Sequence, residues 1–435
     1  MIIHPSTVAI IADDLTGAND SALQFQQQGA AVQILLDTKN EPVNLENTQT
    51  WAISTESRNI EPVEAYKKVT QAARFFKEKI NPDFYYKKID STIRGNIAVE
   101  VLALLDELDF DVSVIIPAFP AESRVTVGGY HLLRGVPIER TEMARDPYSP
   151  IFESHLPTLL KSQLDEESKD LVGLIELKTV MKGAGPIIRE LNKLISQGKK
   201  LIVTDAMSTV DIEQVILAIG KCEHKILPTG TAAAARILSR EWLPDLEPQQ
   251  FASTLPELPK FVVSGSATLI TSNQIDKLDE SDEFENQLII SLDMKTILGG
   301  VTDELVDRVV NNLGNNNIVV VHTSKLIRDF DGFSEDSLKA ELTKASLAWV
   351  ITDFLAELTK RVIDKKKTIL ITLGGETSYK CCSAIGATQL QLIDEVAPAI
   401  ALSKANSEQW IVTKSGNLGS VNTLIDILKY FEHHE

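Results

Sequence analysis

Short apolar runs alternate with stretches of helical periodicity from the N-terminus to about residue 240. Thr7-Val-Ala-Ile-Ile-Ala12, Ala31-Val-Gln-Ile-Leu-Leu36, Val112-Ser-Val-Ile-Ile116 and Lys200-Leu-Ile-Val-Thr-Asp205 are short and rich in β-branched residues, as strands covered on both faces are. Between such runs lie helical patterns, for example the one carried by Val99, Leu102 and Leu105. This alternation predicts a largely parallel sheet with helices on both faces. Between Trp242 and Lys260 it stops, and Pro244, Pro248, Pro256 and Pro259 mark a semi-rigid linker. A second set of strands opens at Phe261. The expected fold class is α/β with two domains, each a largely parallel sheet flanked by helices, and a cleft between them. The expected bounds are 1–243 for the first domain, 244–260 for the Pro-rich linker and 261–435 for the second domain. Repeats are not evident, and the polar run Asn311-Asn-Leu-Gly-Asn-Asn-Asn317 reads as a loop.

Ligands of α/β sheets bind where strands give way to helices, and two such points in the first domain carry unusual chemistry. After Thr7–Ala12 come Asp13 and Asp14, then Thr16 and Gly17. Successive strand positions point to opposite sides, so one aspartate can face a ligand while the other caps the next helix. Tyr85-Tyr-Lys-Lys-Ile-Asp90 predicts another strand ending in an aspartate, followed by Ser91-Thr-Ile-Arg-Gly-Asn96. Arg94 offers a planar fork of donors suited to a carboxylate or phosphate. Ile116-Pro-Ala-Phe-Pro120 leaves a third strand, and Arg124 follows in a polar loop, as a further anion contact or a partner of Glu122. Asp205 and Thr229-Gly-Thr231 end other strands, where capping is as good a reading as a role at the cleft.

The second domain shows three junctions of strand, small-residue loop and helix. They are Phe261-Val-Val-Ser-Gly-Ser-Ala-Thr268, Thr368-Ile-Leu-Ile-Thr-Leu-Gly-Gly-Glu-Thr377 and Trp410-Ile-Val-Thr-Lys-Ser-Gly-Asn-Leu-Gly419. Gathered at one sheet edge, they suit phosphate: glycine lets the backbone approach, hydroxyls donate, and helix N-termini add about half a positive charge. Candidate nucleotide contacts are Ser264, Ser266, Gly374, Gly375, Glu376, Thr377, Lys414 and Gly416. Glu376 is also a candidate Mg²⁺ ligand. Neither a Walker P-loop nor the Gly-x-Gly-x-x-Gly dinucleotide fingerprint is present.

The segments Asp13-Asp-Leu-Thr-Gly-Ala18 and Lys88-Ile-Asp-Ser-Thr-Ile-Arg-Gly-Asn96 resemble the N-terminal signatures of the four-carbon acid sugar kinase family. The resemblance continues through Ile116-Pro-Ala-Phe-Pro120, Gly129-Tyr-His131, Gly135-Val-Pro137 and Asp146-Pro147, and resumes at Gly374-Gly-Glu-Thr377 and Thr413-Lys-Ser-Gly416. It implies an ATP- and Mg²⁺-dependent kinase acting on the terminal (4-) hydroxyl of a four-carbon sugar acid, D-threonate or D-erythronate first. The acid would bind the first domain and ATP the second. On this reading Asp13, Asp14, Asp90 and Arg94 are the catalytic candidates, with the base among the aspartates and Arg94 on the acid's carboxylate. Thr16, Gly17, Lys88, Ser91, Thr92 and Arg124 are the substrate-binding candidates. Asn19-Asp20 favours threonate over the 3-oxo acid by the same resemblance. Two departures concern nucleotide placement: Ala397-Pro-Ala-Ile400 replaces an expected Gly-Val-Pro, and Gly416-Asn-Leu-Gly419 an expected Gly-Gly-Phe-Gly. They leave open a sugar-acid sensor that has lost ATP turnover. A kinase or ligase for another small carboxylate is the other alternative.

Composition narrows the picture. Among 435 residues, 61 acidic side chains face 43 basic ones, a formal charge of −18, which argues against a nucleic-acid or anionic-membrane surface. An anionic substrate must therefore meet local positive groups. Three cysteines, Cys222, Cys381 and Cys382, form neither a disulfide framework nor a zinc spacing. The seven histidines are scattered, with His433 and His434 in the tail. No leader pattern or membrane-length apolar run appears, so the expectation is a cytoplasmic enzyme, with a homodimer common at this size.

Overall fold

The computed structural model describes residues 6–146, 148–247, 255–266, 268–314, 317–324, 326, 344–406 and 408–432, with the side chains of 344–346 excepted. Pro147, Pro248, Asn315, Asn316, His433 and His434, named above, lie outside them. The chain divides into two compact units, Met1–Gln249 and Gln250–Glu435.

In the first unit, in chain order, the elements are β1 (Val8–Ala12), α1 (Leu15–Gln27), β2 (Val32–Leu35), β3 (Thr50–Ser54), α2 (Pro62–Lys79), β4 (Phe84–Lys88), α3 (Ile97–Leu108) and β5 (Val112–Ile116). After them come β6 (Arg124–Val127), β7 (Tyr130–Leu133), β8 (Val136–Pro137), α4 (Leu156–Ser162), β9 (Val172–Ile175), α5 (Leu177–Val180), α6 (Ala184–Ser196), β10 (Leu201–Thr204), α7 (Thr209–Lys221), β11 (Ile226–Gly230) and α8 (Ala232–Trp242). Eight strands form a wholly parallel sheet in the order β2-β3-β1-β4-β11-β5-β10-β9. β1, β3, β5 and β10 are buried along their whole length, which explains their unbroken apolar runs. One face packs on α2 and α3 through Val69, Phe76, Val101 and Leu104. The chain runs outward from β1 and returns across it to β4, so the strand order reverses at β1, the kind of place where such sheets bind ligands.

Two details differ from the sequence reading. β6, β7 and β8 form a small antiparallel sheet, so Arg124 opens a strand rather than lying in a polar loop. Short strands with mixed polarity gave no clear period-2 signal there. Asp205 fixes this sheet: its carboxylate accepts from the amides of Gly128 (2.7 Å), Gly129 (2.8 Å) and Leu177 (2.9 Å), an anchoring role.

The second unit contains β12 (Lys260–Ser264), α9 (Leu269–Asp279), β13 (Gln287–Ser291), α10 (Met294–Leu298), α11 (Asp303–Asn312), β14 (Ile318–His322), α12 (Lys344–Ile363), β15 (Ile369–Leu373), α13 (Gly375–Ala384), β16 (Gln389–Ala397), β17 (Ile400–Ala405), β18 (Gln409–Lys414) and α14 (Thr423–Tyr430). Helix α11 takes in Asn311 and Asn312, the first residues of the expected loop. Within this unit the strand order is β13-β14-β12-β15-β18-β17-β16. The first five strands are parallel, and β16 and β17 form an antiparallel hairpin. Its core joins Val262, Ile371, Leu373, Val412, Leu424 and Leu428. No helix among the described residues is long and apolar enough to cross a membrane.

Candidate functional site

The strand ends of the first unit carry a buried ionic network. Asp14 is the N-cap of α1: its Oδ1 accepts from the Gly17 amide and its Oδ2 from the Thr16 hydroxyl, both at 2.8 Å. Gly17 is glycine for space, because a Cβ there would stand 2.5 Å from Asp14 Oδ1. The guanidinium of Arg58 lies over both aspartates. Its Nε and Nη2 donate to Asp13 at 2.7 and 2.9 Å, and its Nη1 and Nη2 reach Asp14 at 2.8 and 2.7 Å. The sequence motifs above do not include Arg58. It ends Ser54-Thr-Glu-Ser-Arg58, the polar loop leaving β3, a third strand-end signal beside those of β1 and β4.

Asp90 and Arg94 form the second half of the network. Arg94 grips Asp90 through Nε (2.8 Å) and Nη2 (3.0 Å), and its Nη1 reaches Asp146 at 2.7 Å. The fork expected to hold a substrate carboxylate is therefore filled by protein carboxylates. Asp90 Oδ2 also accepts from the amides of Thr92 and Arg94 and from the Thr92 hydroxyl. Arg58 Nη1 joins the halves, 3.8 Å from Asp90 Oδ1. His131, fully buried on β7, braces the loop after β4: its Nε2 lies 3.0 Å from the Ser91 carbonyl and its Nδ1 3.1 Å from Thr126 Oγ1. Arg124 stays with Glu122, donating to its carbonyl at 2.9 Å and standing 3.3 Å from its carboxylate.

The electrostatics follow from burial and these partners. Burial, the largest influence on Asp13, raises its pKa, but Arg58 outweighs it and the carboxyl sits below its ordinary value. Asp90 is likewise pushed up by burial and held well below the ordinary range by Arg94 and Arg58. His131 goes the other way, lowered to about 4 mainly by burial, and so is neutral. Beneath Asp13, Lys87 and Glu100 form a fully buried pair at 2.6 Å.

A carboxylate offers about four lone-pair sites, and the three aspartates differ in how many are taken. Asp14 Oδ2 accepts twice, and its Oδ1 accepts from the Gly17 amide with Arg58 Nη2 2.7 Å away. Asp90 Oδ2 is crowded and its Oδ1 holds Arg94 with Arg58 close by. Among the described residues Asp13 accepts only from Arg58, once at each oxygen, so each oxygen keeps an open position there.

In the second unit the three junctions do converge. β12, β15 and β18 are adjacent, and Ser264, Leu373 and Lys414 stand in register at their ends. The loops touch: the Gly374 amide donates to the Lys414 carbonyl at 2.8 Å, and Thr268 and Thr271 donate to the Gly416 carbonyl at 2.6 and 2.9 Å. Added Cβ atoms would fill this cradle. One at Gly416 would overlap Ser266 Oγ, and one at Gly265 would lie 2.5 Å from Thr377 Oγ1. Gly374 has φ +113°, open to glycine above all. It caps α13, whose first turn holds Gly375, Glu376 and Thr377. Ser264 Oγ is buried without a hydrogen-bond partner among the described residues, and Lys414 is buried beside Thr271 Oγ1 (3.4 Å), its pKa lowered to about 7 by burial. Backbone, hydroxyls and a lysine suit nucleotide phosphates. Among the described residues no group of three or more His, Cys, Asp or Glu is placed to hold a metal.

The two departures cost little here. Ala397 ends β16 at the hairpin tip, and Ala399, with φ +61°, takes the left-handed residue of that turn. Asn417 lies outside the left-handed region; Gly419, at φ +85°, is the residue that needs it.

A family model described as a sugar-binding N-terminal domain matches residues 8–238, and one described as a nucleotide-binding C-terminal domain matches 261–424. Curated relatives include a D-erythronate kinase of Heliobacterium modesticaldum, 29% identical over 98% of this chain and 97% of the relative. Another is a D-threonate kinase of Salmonella typhimurium, 29% identical over 97% and 98%. A 3-oxo-tetronate kinase of Haemophilus influenzae is 27% identical over 95% and 97%. The chain belongs to the four-carbon acid sugar kinase family. As a member it is a phosphotransferase acting on an alcohol group. The kinase shares its fold with a solved Haemophilus influenzae protein (TM-score 0.72, 24% identity, 97% of this chain and 100% of that one). A Salmonella typhimurium structure is similar (TM-score 0.77, 22% identity, 97% and 98%).

Proposed function

We propose that this kinase transfers the γ-phosphoryl group of ATP to the 4-hydroxyl of a four-carbon sugar acid, D-threonate or D-erythronate, with Asp13 as the base. The acceptor count carries the reading: of the three candidate aspartates, Asp13 alone has an open position on each oxygen, and Arg58 fixes its orientation. It is held ionised, with burial overridden by Arg58. A low-pKa base suits this reaction, because phosphoryl transfer asks the protein mainly for positioning and charge stabilisation. Asp14 sets the first turn of α1, and Asp90 with Arg94 sets the loop after β4; both are positioning elements.

ATP is assigned to the cradle of Ser264, Ser266, Gly374, Gly375, Glu376, Thr377, Lys414 and Gly416. A bound Mg²⁺ would supply neutralisation of phosphate charge. The sensor alternative drew on Ala397 and Asn417, and neither takes the left-handed backbone that would call for glycine. The test is ADP release from ATP and Mg²⁺ across D- and L-threonate, D- and L-erythronate and the 3-oxo-tetronates, with the product examined by phosphorus NMR. A 4-phosphorylated acid from one of the first four supports the reading. Turnover confined to a 3-oxo acid corrects the substrate, and silence across the panel overturns the proposal.

A further inference from the structure

We propose that Lys88, set against the first turn of α1, forms the subsite that takes the carboxylate of the sugar acid. The inference rests on the kinase reading above and assigns a role that Arg94, with its donors filled, is not free to play.

Five buried or nearly buried cations surround the strand ends of the first unit, and four have acidic partners. Arg58 holds Asp13 and Asp14, Arg94 holds Asp90 and Asp146, Lys87 holds Glu100, and Arg124 stays with Glu122. Arg124 gives its Nη1 to the carbonyl and carboxylate of Glu122, and its Nε is buried without a hydrogen bond among the described residues. Lys88 is different. It ends β4, is only 3% exposed, and among the described residues its side chain has neither a carboxylate within 4.0 Å nor a hydrogen-bond acceptor. A nearly buried ammonium with neither a salt bridge nor a hydrogen bond is costly, so its position makes sense if an anion completes it.

The place it occupies favours a small anion. A Cβ on Gly17 would lie 3.1 Å from Lys88 Nζ and 3.6 Å from its Cγ, so the side chain lies along the glycine face of the first turn of α1. That helix is 13 residues long, and its N-terminus adds positive potential. Asp13, Asp14, Asp90 and Asp146 outnumber Arg58 and Arg94 in the network, so a bound carboxylate needs a positive group of its own against that excess, and Lys88 is the neighbouring cation without a salt bridge. It is also near enough to Asp13 to act on it electrostatically, which fits one small molecule offering its carboxylate to Lys88 and a hydroxyl to Asp13. A neutral four-carbon polyol would leave Lys88 unpaired, so the subsite selects for the acid.

The test is calorimetric titration of the full-length protein, without nucleotide, with D-threonate, D-erythronate and the neutral tetritols threitol and erythritol. Wild-type protein is expected to bind an acid at least tenfold more tightly than its tetritol. Lys88→Met should weaken the acid by roughly 10- to 100-fold, the range for a charge-assisted hydrogen bond, with tetritol affinity unchanged. Lys88→Gln, lacking the charge, is the second variant should Lys88→Met not fold, with the same loss expected. Undiminished acid binding by the folded variant overturns the subsite alone, even where turnover with ATP falls; a loss of turnover alone would place Lys88 on the transferred phosphoryl group. Wild-type protein that binds neither acid overturns the kinase reading and the subsite with it.

Discussion

The strand ends of the two units solve anion binding in opposite ways. In the first, four aspartates and two arginines are interlocked before any ligand arrives, and Lys88 stands apart from them. In the second, the junction loops contain glycines, hydroxyls and only two charged side chains, Glu376 and Lys414. The difference matches the ligands proposed for each. A small hydroxy acid needs several fixed acceptors and donors in a confined space, which demands a rigid frame. A polyphosphate can be held by backbone amides, which need close approach and helix ends. Fixed charge thus serves geometry in one unit, and space serves contact in the other.

That contrast breaks first at Arg58. Replacing it by Met leaves Asp13 and Asp14 buried and facing each other, and breaking a buried ion pair from one side typically costs about 3–5 kcal/mol. Arg58→Met is expected to lower the unfolding free energy by that amount and abolish turnover. Lys414→Met, in the other unit, removes a buried amine that has no acidic partner among the described residues, so urea unfolding is expected to show equal or greater stability while ATP affinity falls. Equal damage from both substitutions would dissolve the contrast.

The next effect belongs to His131, which braces the ionic network. Its folded-state pKa of about 4 lies below the ordinary 6.5. Below pH 6.5 the unfolded chain therefore binds the proton first, and stability drains away as pH falls towards 4. The shift corresponds to about 3 kcal/mol. Urea midpoints between pH 7 and 4 should decline accordingly in the wild type, and His131→Asn should flatten that decline. An unchanged slope in the variant would remove His131 from the account.

Smallest is the proton balance at Lys414. With its pKa lowered to about 7 by burial, the lysine is largely neutral at pH 8, and a bound phosphate restores its charge. ATP binding at pH 8 should therefore take up a fraction of a proton, measured calorimetrically in buffers of different ionisation heat. Uptake that persists in Lys414→Met would place the proton elsewhere.

Much of this was legible in the chain. The exits of β1 and β4 and the three junctions of the second unit follow from apolar runs ending in Asp, Gly, Ser and Thr. The partners of those residues were not legible. Arg58 lies 45 residues from Asp13, and Arg94 lies 52 from Asp146. No periodicity reports which distant charges fold together, so Arg94 read as a free fork and Arg58 carried no signal of its own. Ranking Asp13, Asp14 and Asp90 also required counting acceptors in three dimensions.

The most direct test of the account is Asp13→Asn in the full-length enzyme, with acid affinity measured by calorimetry beside steady-state turnover. The amide keeps an acceptor for Arg58 and removes the base, so turnover should fall by roughly 10²–10⁴-fold while the acid binds within a few-fold of wild type. Turnover at the wild-type rate, with the acid still bound, would contradict the assignment of Asp13.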